Sequence, residues 1–94
     1  MILVDPPTWP GWGTVWSHLV SESSIAELHE FAEGVGLPRR LFDEDHYDVP
    51  VERYEDVVAA GAVEVSGGEL IRRLRDSGLR ITRAERAARS PEQD

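Results

Sequence analysis

The spacing of apolar and polar positions divides the first 81 residues into alternating short strands and helices. Compact apolar or β-branched runs predict strands over residues 1–4, 15–20, 40–42, 62–65 and 79–81. Apolar residues three and four positions apart predict helices over residues 25–35, 51–60 and 67–77. This alternation is typical of the α/β class. We therefore predict a small sheet of about three to five short strands, at least partly parallel, with three helices.

Local signals mark the first helix start and two loops. Ser24 and Glu27 have the capping-box spacing, a serine followed three positions later by a glutamate. Proline and glycine, which interrupt both regular structures, predict a loop over residues 8–13. The acidic stretch at residues 43–48 is too polar to be core, and we predict that it is a second, solvent-exposed loop.

Length and composition restrict the class of protein. The 94-residue chain suits one domain, which we place at residues 1–81, and residues 82–94 lack an apolar stripe and are predicted to form a frayed basic tail. Cysteine is absent, which excludes disulfides and cysteine-ligated zinc. With no apolar run of about 18 residues and no leader, we expect a cytoplasmic protein with no membrane segment. The net charge of −8 argues against general nucleic-acid binding.

Two histidines and two aspartates form the candidate site. Asp5 ends the first predicted strand, His18 lies in the second, and His46 and Asp48 follow the third. Because the ends of parallel strands meet at one edge of an α/β sheet, we expect these four side chains to converge. Imidazole and carboxylate suit a divalent metal such as zinc or manganese with an open position for water. The leading hypothesis is therefore a domain that binds a divalent metal or a small polar ligand at this edge, and a metal-bound water would make hydrolysis of a phosphoester or an amide its candidate reaction.

The same edge offers other roles. His46, flanked by Asp45 and Asp48, is a candidate general base oriented by carboxylate, and we take His46 and Asp48 as the candidate catalytic residues. Ser17, Ser21 and Tyr47 are the candidate binding residues for a small polar ligand. The alternative is purely structural, because aspartates beside loops also satisfy backbone amides.

Three tryptophans near the amino terminus suggest a different function. Trp9, Trp12 and Trp16 fall within a Pro–Gly segment. Exposed tryptophan is favoured at protein interfaces, so the alternative to a metal site is a non-catalytic module that binds a protein partner or a second copy through Trp9 and Trp12. The competing interpretation is that Trp9 and Trp16 cover an open side of the sheet. His29, at the margin of a helix's apolar face, is interpreted as a packed histidine.

Several short motifs carry a resemblance. The chain has SHLVS at residues 17–21 and DHYDVP at residues 45–50, with DPP at residues 5–7 and ELH at residues 27–29. In these motifs it resembles the small bacterial family catalogued as "domain of unknown function 4031" over about residues 1–81. The resemblance implies a compact cytoplasmic domain and no particular activity. One departure is Glu22, where the family pattern has aspartate.

A weaker likeness is to the PIN-like nucleases. An apolar first strand ending in Asp5, and the GAVEV segment at residues 61–65, are similar to that class. The resemblance implies clustered acids that hold magnesium. It therefore requires Asp5, Asp48 and either Asp43 or Asp45 to lie within metal-bridging distance.

Overall fold

A computed structural model describes residues 1–81, which form a mixed six-stranded sheet with three α-helices. The strands are β1 (Ile2–Val4), β2 (Trp9–Gly11), β3 (Thr14–Ser21), β4 (Phe42–Asp43), β5 (His46–Pro50) and β6 (Val63–Glu64). The helices are α1 (Ile25–Val35), α2 (Tyr54–Ala59) and α3 (Gly67–Ser77). The predicted tail at residues 82–94 lies outside the described residues. Within residues 1–81, no helix is long and apolar enough to cross a membrane.

Strand β3 is the centre of the sheet. The order is β4–β5–β3–β1–β6, and β2 pairs with the first part of β3. The β1–β6 pair is parallel and the other pairs are antiparallel. The predicted α/β class, the partly parallel sheet and the three helices are therefore confirmed.

The sheet has more strands than predicted because both expected loops are hairpins. Residues 8–13 contribute β2, which pairs with β3 through a tight turn at Trp12 and Gly13. Residues 43–48 contribute the β4–β5 hairpin, whose turn includes Glu44 at φ 64°. In both segments the cross-strand partner, which a local pattern does not reveal, stabilises an extended backbone.

Smaller corrections concern three other elements. The strand predicted at residues 40–42 is a 3₁₀ turn at Arg39–Leu41 followed by β4. The second helix is shorter than predicted, because Val51–Arg53 form a 3₁₀ turn before α2. No strand is assigned at residues 79–81, within the part of the chain that the structure describes.

The capping signals are confirmed. Ser24 Oγ accepts a hydrogen bond from the Glu27 backbone N–H at 3.0 Å, as the capping box predicts. Ser66 caps α3 in the same way, and Gly78 at φ 83° ends that helix in the left-handed conformation. These caps fix where α1 and α3 begin and so how they cross the sheet.

Alternation along β3 separates the two faces of the sheet. Leu19 and Tyr47 point to one face, where they join the apolar cluster that includes Leu28 of α1, and we call this the α1 face. Val20 points to the opposite face and packs with Leu74 of α3, and we call this the α3 face. Helix α3 lies over the β1 end of that face, so the β5 end carries polar side chains.

A candidate metal centre on the α3 face

The four predicted site residues converge, but for a different reason from the one expected. His18 on β3 is directly opposite Asp48 on the antiparallel strand β5, and His46 lies two residues before Asp48 on the same face. Asp5 follows β1, and its backbone N–H donates to the His18 carbonyl at 3.2 Å. Cross-strand register, rather than the shared edge of parallel strands, therefore assembles the set.

Asp5 fixes the orientation of His18. One oxygen of the Asp5 carboxylate accepts from the His18 backbone N–H at 2.6 Å, and the other is 2.9 Å from His18 Nδ1. Trp9 stacks on the His18 ring, with the ring centroids 5.0 Å apart and the planes 18° from parallel. Because Nδ1 is bonded to the carboxylate, Nε2 is the nitrogen that remains to bind a ligand.

Asp45, which flanks His46 in the sequence, orients that ring in the same way. Its side chain is 0% exposed, in contrast to the expected exposed loop. Asp45 accepts from His46 Nδ1 and from the Ile81 backbone N–H, both at 2.8 Å, and Arg80 lies 3.5 Å away. Burial of a carboxylate requires such partners, so Asp45 is a positioning group rather than a solvated acid.

The electrostatics of His46 follow from these partners. Burial by itself would lower the His46 pKa, but the bonds to Asp45 and Asp48 and their negative charges outweigh burial and raise the pKa to about 9. Burial acts in the opposite sense on Asp45, yet its bonds to His46 and to the Ile81 backbone hold the pKa of that carboxyl below its usual value. At neutral pH the pair is an imidazolium and a carboxylate.

Asp48 completes the cluster. Its Oδ1 lies 3.0 Å from His46 Nε2, yet this buried oxygen receives no well-directed hydrogen bond from any residue between 1 and 81. One ligand atom each from His18, His46 and Asp48 lie within 4.8 Å of one another. Metal–ligand bonds of about 2.0–2.2 Å place neighbouring ligand atoms about 3–4 Å apart, which is close to the separation found here.

The other candidate binding residues are not in this cluster. Ser17 is buried on the α1 face, because it is one residue from His18 on the same strand. Tyr47 is on that face too, where its hydroxyl is 2.8 Å from His29 Nδ1. Ser21 bonds to Glu27 at the start of α1. Ser17, Ser21 and Tyr47 therefore lie on the opposite face of the sheet from His18 and His46, which was not expected.

The acids do not form the arrangement that the PIN-like likeness requires. Asp5 and Asp45 are each bonded to a histidine, and Asp43 is exposed. In the described chain the group that could hold a metal contains the single carboxylate Asp48. The interpretation of His29 as a packed histidine agrees with its contacts to Tyr47 and Phe42.

Two cavities adjoin the cluster. A cavity of about 150 Å³ lies between the sheet and α3, and both histidines border it along with Leu74 and Arg80. A groove of about 340 Å³ lies on the Asp48 side, and all three tryptophans line it. Of these, Trp12 is 95% exposed and Trp9 is half-buried, so the exposure that a tryptophan-based binding surface requires is present.

A family model described as "Protein of unknown function (DUF4031)" matches residues 2–77. The chain belongs to this family. The match confirms the resemblance seen in the SHLVS and DHYDVP motifs, and it covers every member of the cluster. No curated protein and no solved structure matches the chain. The family description names no activity, so the function of this DUF4031 domain has to be argued from the site.

Proposed function

We propose that the protein binds one divalent transition-metal ion through His18, His46 and Asp48. The observation that carries the proposal is the convergence of His18, His46 and Asp48, which place one ligand atom each within 4.8 Å of the others. In the metal-free protein the His46 imidazolium lies 3.0 Å from Asp48 Oδ1 without a well-directed hydrogen bond in the described residues, and a bound metal ion would replace the His46 Nε2 proton there.

The outer carboxylates support the same conclusion. In metal sites, a ligating histidine usually donates its second ring nitrogen to a carboxylate, which fixes the tautomer and raises the basicity of the ligating nitrogen. Asp5 and Asp45 occupy those positions for His18 and His46. Two histidines and one carboxylate suit zinc, and they also accept manganese, which prefers oxygen ligands.

Three protein ligands leave coordination positions for water or substrate. The cavity bordered by both histidines gives those positions a partly apolar surrounding, which includes Leu70 and Leu74. A metal ion in such a site lowers the pKa of coordinated water, so the proposed activity is hydrolysis of a phosphoester or an amide. The cytoplasmic location expected from the sequence stays a prediction.

The direct test is calorimetric titration of zinc chloride and manganese chloride into protein purified without a nickel step. Zinc should bind with one-to-one stoichiometry, and elemental analysis of the purified protein should find the resident metal. His46→Gln and Asp48→Asn should each weaken zinc binding by more than the roughly 10- to 100-fold loss typical of an outer partner.

Matched controls come from the same chain. His29→Gln changes a histidine on the α1 face, and Asp56→Asn changes an exposed aspartate of α2 that is paired with Arg53. Both should leave the zinc dissociation constant within about twofold of wild type, because neither side chain contacts His18, His46 or Asp48. Equal weakening by His29→Gln and His46→Gln would show surface binding and overturn the proposal. For hydrolysis, bis-p-nitrophenyl phosphate is the first probe.

A further inference from the structure

The turn of the β2–β3 hairpin holds an unfavourable residue. Gly11 pairs with Thr14, so Trp12 and Gly13 are the two turn residues, and their φ angles are 53° and 79°. Positive φ at both positions is the type I′ turn, in which asparagine followed by glycine is preferred. A bulky residue in this conformation costs about 1 kcal/mol or more. Trp12 is 95% exposed, so packing within the described chain does not offset that cost.

The groove beside this turn is lined by the other two tryptophans. Trp9 stacks on Trp16 with ring centroids 6.2 Å apart, and Trp16 Nε1 donates to the Gly11 carbonyl at 2.7 Å. The groove therefore combines a wall of two stacked indoles with a third, exposed indole.

The charges at the groove depend on the proposed metal. Arg40 contributes one positive charge, and Asp43 and Asp48 contribute two negative charges. A divalent ion bound at Asp48 would add positive charge to this groove. Because Arg40 and Asp48 both line the groove, an anionic group bound there would meet the metal and the Arg40 guanidinium, which donates strong hydrogen bonds to phosphate.

We propose that this groove binds a mononucleotide. Its base stacks on Trp12, and its phosphate lies toward Arg40 and the metal. The phosphate end rests on the proposed function, whereas the stacking end does not. Base stacking on aromatic side chains tolerates any base. The groove volume of about 340 Å³ is in the range of small-ligand sites, and the net charge of −8 disfavours a longer polyanion.

Tryptophan fluorescence tests the proposal, because all three tryptophans of the chain line the groove. The probes are adenosine, adenosine monophosphate and ribose 5-phosphate, each titrated into zinc-loaded protein and into protein treated with EDTA. Adenosine should quench the emission equally in both samples. The monophosphate should bind about tenfold more tightly with zinc than without it, and ribose 5-phosphate should not quench.

The decisive variant is Trp12→Asn, which introduces a residue that the type I′ turn prefers and so preserves the hairpin. It should weaken adenosine binding about tenfold, as expected for the loss of one stacking partner, and Trp12→Phe should restore part of it. Arg40→Gln should weaken the binding of adenosine monophosphate and leave the binding of adenosine unchanged. Zinc titration of Trp12→Asn should match wild type.

The outcomes separate the two proposals. Adenosine binding that Trp12→Asn leaves unchanged would overturn the nucleotide site, even if zinc binds as expected. If the protein binds adenosine through Trp12 but binds no zinc, base stacking in the groove is supported and the proposed metal site is wrong. If sedimentation shows a dimer that Trp12→Asn dissociates, and adenosine does not quench, the groove is a contact between copies and the nucleotide site is wrong.

Discussion

His29 on the α1 face and His46 on the α3 face have pKa values shifted in opposite directions. On the α1 face, His29 has the Tyr47 hydroxyl as its partner and Phe42 against its ring, 4.6 Å between centroids. Burial and the nearby Arg39 lower the pKa of His29. On the α3 face, carboxylates surround His46 and raise its pKa to about 9.

The difference shows that adjacent carboxylates can outweigh the effect of burial on an imidazole. Burial is the main cause of the lowered His29 pKa, and the His29–Tyr47 pair is satisfied within itself. At His46 two carboxylates favour the charged form in spite of burial, and Asp48 Oδ1 lies 3.0 Å from His46 Nε2 without a well-directed hydrogen bond within residues 1–81. The second cluster is the one at which we propose that a metal ion binds.

The largest effect should come from removing Asp45. Asp45→Ala takes away the partner of His46 and the acceptor of the Ile81 backbone N–H. Breaking a buried ion pair by removing one member typically costs about 3–5 kcal/mol of unfolding free energy. Urea denaturation measures the loss, and Asp43→Ala, an exposed aspartate on β4, should lie within about 0.5 kcal/mol of wild type. A loss below about 1 kcal/mol would show that Asp45 does not hold the α3-face cluster together.

The pH dependence of stability should have opposite signs at the two histidines. His46 has a raised pKa in the folded state, so in metal-free protein its contribution is complete below about pH 6.5 and disappears as pH rises to about 9. We expect this contribution to be on the order of 2–3 kcal/mol. His29 has a lowered pKa, so its contribution is present above about pH 6.5 and is lost as pH falls below that value.

Denaturation of metal-free wild type, His46→Gln and His29→Gln across this pH range isolates each contribution by difference. Wild type should lose its advantage over His46→Gln above about pH 7 and its advantage over His29→Gln below about pH 6. Slopes of the same sign would contradict the assignment of one charged and one neutral histidine.

Sequence patterns gave the first and third helices and the central strand because these depend on local signals. The capping residues Ser24 and Ser66 act within one turn of their own position. The β2–β3 and β4–β5 hairpins depend on pairing with another strand instead. Trp9 against Trp16, and Asp43 against His46, are such pairs, and no local spacing indicates them.

Part of the candidate site was predicted from the sequence, and the part that was missed depends on strand pairing. The residue types identified Asp5, His18, His46 and Asp48, and these do converge. Tyr47 was grouped with them by its place in the sequence, yet adjacent residues on a strand point to opposite faces. This alternation assigns Tyr47 and its neighbours His46 and Asp48 to opposite faces only once residues 46–50 are known to form a strand. Asp45 was identified as an acid flanking His46, but its burial was not predicted, because which member of an acidic run is buried depends on tertiary partners.

A moderate effect should follow from Tyr47→Phe. The change removes the hydroxyl that pairs with His29 Nδ1 and keeps the ring that packs in the α1-face core. Leaving one buried partner unsatisfied costs about 1–3 kcal/mol, and denaturation should show a loss in that range. The zinc dissociation constant should not change, because Tyr47 faces away from the metal ligands. A large loss of zinc affinity would mean that the two faces are coupled through β5.

The smallest change in stability should come from Ser17→Ala. This variant tests whether the unpaired oxygen of Ser17 differs from that of Asp48. Ser17 Oγ and Asp48 Oδ1 are both buried without a hydrogen-bond donor or acceptor partner within residues 1–81. Asp48 lies beside two imidazoles and Ser17 lies in the α1-face core, so a cation can satisfy only the first. Removing an unpaired buried hydroxyl is close to neutral or stabilises by up to about 1 kcal/mol. Thermal and urea unfolding of Ser17→Ala, with zinc titration as the second readout, should therefore show equal or greater stability and unchanged affinity. A loss of unfolding free energy above about 1 kcal/mol would mean that the Ser17 hydroxyl makes a stabilising hydrogen bond. The unpaired state of Asp48 Oδ1, which is identified in the same way, would then be weaker support for the metal site.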